Sequence, residues 1–180
     1  MMNSYFYQLD IPLLTESEKD KLVELATFHN DDFKAYVSVR NVIDGNETWR
    51  DTDLYELPFI KRLTENCTLP CIPVFVRHQP AAKVIKHTDD PNKRNTVLSI
   101  PLTPKVGYSP TYFFTSREET EPVAVARFIN LNACLLNTQQ VHGLINTSST
   151  LRINFQLAFN ESFEQVRDMI INKTLFKIEI

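Results

Sequence analysis

The chain has 180 residues, a net charge of −3 and only three glycines, where roughly a dozen would be usual for the length. It contains no G-x-G-x-x-G and no G-x-x-x-x-G-K-[ST], which excludes the loops that bring backbone against phosphate in dinucleotide sites and P-loops. The acidic balance, with a pI of about 5.8, offers no broad basic field for nucleic acid, and no apolar run is long enough to span a membrane.

Cys67, Cys71 and Cys134 are too few for a disulfide framework. An odd, low count fits a reducing compartment, and a cytoplasmic location is the expectation. Cys67 and Cys71 are close enough in sequence to be a metal pair, but a tetrahedral site needs two further ligands. The plain alternative is buried thiols. The N-terminus has neither the basic nor the apolar region of a secretory leader.

In chain order, Thr15-Glu16-Ser17-Glu18 reads as a capping box. Leu22, Leu25 and Ala26 then mark an amphipathic helix lasting to about Phe28. Residues 31–55 are polar and irregular, with a strand expected at 36–39 and a turn at Asp44-Gly45. A second helix is expected over 58–65, with Pro58 in its first turn. From Cys71 the texture changes. Short β-branched or aromatic runs separated by turn residues fall at 72–78, 83–87, 96–102, 111–114, 124–129, 133–136, 143–145 and 151–159. Eight strands at this spacing predict an antiparallel sandwich or barrel. Ser162 and Gln165 cap a last helix with Phe163, Val166 and Ile170 on one face, and a final strand is expected over 174–180. The fold class is therefore mainly β with flanking helices, in one domain. Residues 1–70 form a helical and irregular wing, 71–160 the strand-rich core and 161–180 a terminal helix and strand. The apolar helix faces could serve a homodimer as well as a core.

The chemistry lies in the core. His87-Thr88-Asp89 places an imidazole and a carboxylate on the same side of an extended segment. Alone, the pattern arises by chance, and a surface His beside an acidic turn is the bland reading. His142 supplies a further imidazole. Two His and one carboxylate make a facial triad that leaves positions open on Fe(II). Ten residues after His142, Arg152 opens a run in which Arg152, Asn154 and Gln156 alternate with Ile153, Phe155 and Leu157. If the apolar face packs against helices, the polar face lines a cavity. A guanidinium there needs an anion, because an unpaired buried charge is costly.

This order of H-x-D, distal His and Arg resembles the Fe(II)/2-oxoglutarate-dependent dioxygenases. The resemblance spans about residues 72–159. Residues 87–94, HTDDPNKR, look like the H-x-x-x-x-N-x-R signature of the aspartyl/asparaginyl β-hydroxylase branch. Asp89 is kept, as in the related free-proline hydroxylases. The basic pair usual in that branch is replaced by Thr96 and Leu98. The resemblance implies a double-stranded β-helix, or jelly-roll, with Fe(II) held by His87, Asp89 and His142. It implies dioxygen and 2-oxoglutarate as cosubstrates, with Arg152 on the distal carboxylate and Asn154 and Thr96 as further cosubstrate contacts. The implied reaction hydroxylates an unactivated C–H of an amino-acid-like small molecule or a peptidyl side chain, releasing succinate and CO2. Arg94 and Arg77 are the substrate-contact candidates; Arg94 could equally grip the cosubstrate or be a solvated loop residue. The alternative is a non-catalytic, cupin-like protein that binds a metal or small ligand.

Overall fold

The strand-rich centre pairs into two antiparallel sheets. The computed structural model describes residues 4–10, 12–28, 34–35, 46–49 and 57–177. In chain order the elements are β1 (Phe6–Gln8), α1 (Glu16–Phe28), β2 (Lys34–Ala35), β3 (Asn46–Trp49), α2 (Pro58–Asn66), β4 (Ile72–His78), β5 (Lys83–His87), β6 (Thr96–Thr103), β7 (Thr111–Phe114), β8 (Ala124–Ala126), a 3-10 turn (Ile129–Leu131), β9 (Cys134–Asn137), β10 (Val141–Ile145), β11 (Arg152–Phe159) and α3 (Phe163–Ile171). The larger sheet runs β1-β9-β6-β11-β4-β3-β2 and the smaller β5-β10-β7-β8. Of the last eight strands, β4, β6, β9 and β11 lie in the large sheet and β5, β7, β8 and β10 in the small one, the arrangement of a double-stranded β-helix. Among the described residues no helix is long and apolar enough to cross a membrane.

Alternation along the central strands divides the molecule. Leu98 and Ile100 of β6, Phe75 of β4, and Ile153, Phe155 and Leu157 of β11 point to one side of the large sheet. There they meet Leu22 of α1, Ile60 and Leu63 of α2, and Phe163 and Val166 of α3. Phe75 and Phe155 pair across β4 and β11 with centroids 5.1 Å apart. Each such buried side chain contributes about 1.5–3 kcal/mol. The opposite side of the same strands faces the small sheet and carries the polar residues.

The helix starts follow their sequence signals. The amide of Thr15 donates to Glu18 Oε2 at 2.8 Å and the amide of Glu18 to Thr15 Oγ1 at 3.2 Å, closing the capping box. Ser162 accepts from the amide of Gln165 at 3.3 Å. Three expectations differ. The first 70 residues add strands β1, β2 and β3 to the edges of the large sheet, covering edges that would otherwise expose unpaired amides. The strand expected over 124–129 stops at Ala126, because Phe128, Asn130 and Leu131 take left-handed φ of 51–53°. The final strand is, among the described residues, a single bridge between Cys67 and Phe176. The strand at 36–39 and the turn at Asp44-Gly45 lie outside the described residues.

Candidate metal centre

Strands β5 and β10 bring the two imidazoles together. His87 stands opposite His142 in register, with ring centroids 4.3 Å apart. Beyond them the register shifts, so that Ile85 and Lys86 together face Gly143. This is a bulge, a device that re-aims neighbouring side chains. Asp89 follows two residues after His87, and its amide donates to Thr138 O at 3.0 Å. Asp90 then turns the chain. Its side chain accepts from the amide of Asn92 at 3.0 Å, and its carbonyl from the amide of Arg94 at 2.9 Å. Arg94 thereby returns to Asp89, with Nε 3.2 Å from Oδ2.

Each imidazole is oriented by its other nitrogen. His87 Nδ1 is 2.8 Å from Ile85 O and His142 Nδ1 is 2.9 Å from Gln140 O. These contacts place a ring proton on Nδ1 and leave Nε2 as the nitrogen that can serve as a ligand. One ligand atom from each of His87, Asp89 and His142 lies within 4.8 Å of the others, and no other such group of three occurs among the described residues. Burial, with the charge of His87, pulls His142 down to about 4, so it is a neutral donor near pH 7. Burial alone would raise Asp89, but its hydrogen bond with His87 and the charge of Arg94 outweigh that and hold it at about 2. The neutral imidazole of His142, the second imidazole of His87 and the ionised carboxylate of Asp89 make a donor set that fits a divalent cation such as Fe(II).

The facing wall is built by β11. Arg152 is 1% exposed. Its Nε donates to Ser109 O at 3.1 Å and its Nη1 to Asn154 Oδ1 at 2.8 Å. Nη1 also lies 3.2 Å from His78 Nδ1. The guanidinium stacks on Tyr108, 4.6 Å from the ring centroid, and Tyr108 donates to Asn154 Oδ1 at 2.6 Å. Burial and the charge of Arg152 hold His78 well below the usual imidazole range, so it serves as a neutral acceptor. No carboxylate among the described residues pairs with Arg152. A cavity of about 150 Å³ joins the two walls, lined by His87, Asp89, Arg94 and His142 on one side and His78, Arg152, Asn154 and Gln156 on the other.

Most of the expected residues thus meet at one cavity, but two do not. Thr96 points to the helix side, where its hydroxyl donates to Glu161 O at 2.9 Å. Arg77 shares the side of Phe75, while its neighbours Val76 and His78 line the cavity. Their removal from the site follows from strand parity. His78 was readable only as one of a pair with Arg77, since β4 is apolar on both faces and gives no parity signal. The turn residues Thr138 and Gln139, which bind the backbone of Asp89 and Arg94, carried no signal of their own. Asn137 holds the turn before His142, donating to Ser4 O at 2.9 Å and accepting from the amide of Gln139 at 3.2 Å. Cys67 and Cys71 are free thiols, and the neighbouring Cys71 draws the Cys67 thiol below its ordinary value. No third ligand joins them among the described residues.

No family profile matches the sequence, and no curated protein is similar to it in sequence. Solved structures are similar in fold. A prolyl hydroxylase from Trichoplax adhaerens, in complex with a hypoxia inducible factor peptide fragment, aligns at TM-score 0.60 and 13% identity, over 92% of this chain and 87% of that one. A Pseudomonas putida prolyl-4-hydroxylase aligns at TM-score 0.57 and 10% identity, over 87% and 92%. HygX from Streptomyces hygroscopicus, with nickel and 2-oxoglutarate bound, aligns at TM-score 0.55 and 11% identity, over 87% and 83%. The chain therefore has the jelly-roll fold that these hydroxylases and this 2-oxoglutarate-binding protein share.

Proposed function

We propose that the protein is an Fe(II)- and 2-oxoglutarate-dependent dioxygenase that hydroxylates an unactivated C–H of an amino-acid-like small molecule or a peptidyl side chain. The observation that carries this reading is the pairing of two features across one cavity. A triad fit for a divalent metal stands on the small sheet, and a buried Arg152 without an acidic partner among the described residues stands on the large one. A dicarboxylate whose one end reaches the metal and whose other end meets a guanidinium satisfies both walls. A non-catalytic metal-binding jelly-roll has no need of that second feature.

His87, Asp89 and His142 would hold Fe(II), each through one atom. Fe(II), when bound, supplies the oxygen chemistry that couples decarboxylation of 2-oxoglutarate to hydroxylation, yielding succinate and CO2. The protein's own residues bind and orient. Arg152 takes the distal carboxylate, pre-aimed by Ser109 O, Asn154 and the Tyr108 ring, so little reorganisation is needed on binding. Neutral His78 adds no competing charge. Val76, Val84, Val97, Leu136 and Leu144 line the remaining wall and exclude water. The resemblance at residues 87–94 to amino-acid hydroxylases supports the substrate class. So does the peptide held by the Trichoplax neighbour.

Calorimetric titration tests the assignment. Arg152→Ala is expected to weaken 2-oxoglutarate binding at least tenfold while leaving metal binding in place. His87→Ala is expected to abolish tight Fe(II) binding. If both folded variants bind both ligands like the wild type, the site is misassigned.

A further inference from the structure

Arg94 lies beside the proposed metal centre, and its guanidinium is engaged from two directions. Nη2 donates to Gln156 Oε1 at 2.7 Å, and Nε sits 3.2 Å from Asp89 Oδ2. The second contact is an ion pair without an aligned hydrogen bond, so Nε is a buried donor still lacking its acceptor. The main chain of Arg94 is fixed as well. Its amide donates to Asp90 O, and its carbonyl accepts from Thr138 Oγ1 and from Gln139 Nε2 at 3.2 Å. A side chain held at both ends is poorly placed to reach for a substrate.

The two Asp89 oxygens therefore face different partners. Oδ1 lies 3.2 Å from His87 Nε2, on the side of the ligand cluster, and Oδ2 faces Arg94. We propose that Arg94 is a positioning residue that occupies Asp89 Oδ2 and so keeps this carboxylate a one-atom ligand. The inference rests on the metal-centre reading above. Its consequence is the number of coordination positions left free. Three one-atom ligands leave about half of an octahedron open, whereas a carboxylate bound through both oxygens takes one of the positions a chelating keto acid requires. Gln156 lies on the same face of β11 as Arg152 and Asn154. The strand that carries the anion site thus also steadies the residue that controls Asp89.

The test uses Mn(II), whose bound water is counted by proton relaxation, in the wild type, Arg94→Met, Arg94→Lys and Gln156→Leu, each checked for folding by circular dichroism. The expected result without cosubstrate is that Arg94→Met loses about one of the roughly three metal-bound waters of the wild type. Its 2-oxoglutarate dissociation constant on the Mn(II) protein is expected to rise about tenfold or more. Arg94→Lys, which keeps a cation near Oδ2, is expected to lie between the two. Gln156→Leu, which removes the other anchor, is expected to shift in the same direction should Arg94→Met not fold. An unchanged water count in folded variants overturns the proposal. Lost cosubstrate affinity with an unchanged count also overturns it and makes Arg94 a direct cosubstrate contact. A wild type that binds no metal overturns the metal-centre reading and this inference together. Normal wild-type binding with indifferent variants overturns this inference alone.

Discussion

Gly143 stands so close to Val84 that a Cβ added to it would lie 2.8 Å from the Val84 carbonyl oxygen. The contact is with backbone, so a side chain cannot swing aside to relieve it. It occurs where β5 bulges opposite β10, one residue from His142. The close approach is to the backbone of the neighbouring strand, the kind of site where a strand needs a residue without Cβ. Gly143→Ala is expected to push β5 away and disturb the pairing of His87 with His142. Overpacking of this kind costs about 1–3 kcal/mol. Metal affinity is expected to fall about tenfold, as when the supports of ligands are disturbed. Calorimetry with Co(II), alongside a denaturant melt, measures both; an unchanged affinity would show that the bulge does not set the ligand geometry.

A second prediction concerns a residue that is not glycine. Ala81, in the turn between β4 and β5, has a φ of +62°. The turn thus uses a left-handed residue even though the sequence offers no glycine there. Asn146 secures it. Its Nδ2 donates to His78 O at 3.1 Å, Gln79 O at 3.0 Å and Thr150 O at 3.0 Å, and its carbonyl accepts from the Ala81 amide at 3.0 Å. The left-handed conformation costs an L-residue about 1–2 kcal/mol, and glycine returns part of that as unfolded-state entropy, about 0.4–1 kcal/mol. Ala81→Gly is therefore expected to stabilise the fold by about 0.5–1 kcal/mol, seen as a raised urea midpoint with an unchanged slope. A lowered midpoint would contradict the strain.

The buried imidazole beside Arg152 makes stability depend on pH. His78 is held well below its ordinary value by burial and by the charge of Arg152. Its unfolded counterpart titrates near 6.5. Above that pH both states are neutral and the native state keeps its full advantage. As pH falls below 6.5 the unfolded chain gains a proton that the native state does not, and stability drops by up to about 1.4 kcal/mol per pH unit. His142, lowered to about 4, adds a loss of the same sign between 6.5 and about 4. Asp89, at about 2, acts only at lower pH. In chelator-treated protein, His78→Asn is expected to flatten the dependence between pH 6.5 and 5 by about one proton. If the variant and wild type lose stability in parallel, His78 is not held neutral.

Legibility from sequence followed how locally each feature is encoded. Along β11 the alternation of Arg152, Asn154 and Gln156 with Ile153, Phe155 and Leu157 is strict, and it gave both the core face and the cavity face. The capping box at Thr15 and the N-cap at Ser162 gave the helix starts, because those hydrogen bonds close within three residues. Along β4 the run Val74, Phe75, Val76 is apolar on both sides, so nothing in the sequence told His78 from Arg77 as the cavity residue. Thr96 opens β6 on the helix side, a parity that its pairing with Phe159 and Asn137 fixes. The short strands β1 and β3 were not readable, since their partners β9 and β4 are remote in sequence. The bend after Ala126 was missed because its left-handed positions are Phe128, Asn130 and Leu131, where glycine would have announced it. Scarce glycine thus removes a signal that turn reading depends on, while the fold still visits the conformations.

The central claim is that the triad and Arg152 together bind Fe(II) and 2-oxoglutarate, and one titration addresses both. Under anaerobic conditions, Fe(II) and then 2-oxoglutarate are added to the protein while the visible spectrum is followed. The account predicts a weak metal-to-ligand charge-transfer band that requires both additions, saturates at one equivalent of each and disappears in folded Arg152→Ala at the same concentrations. A folded wild type that shows no such band with both ligands in excess would contradict it.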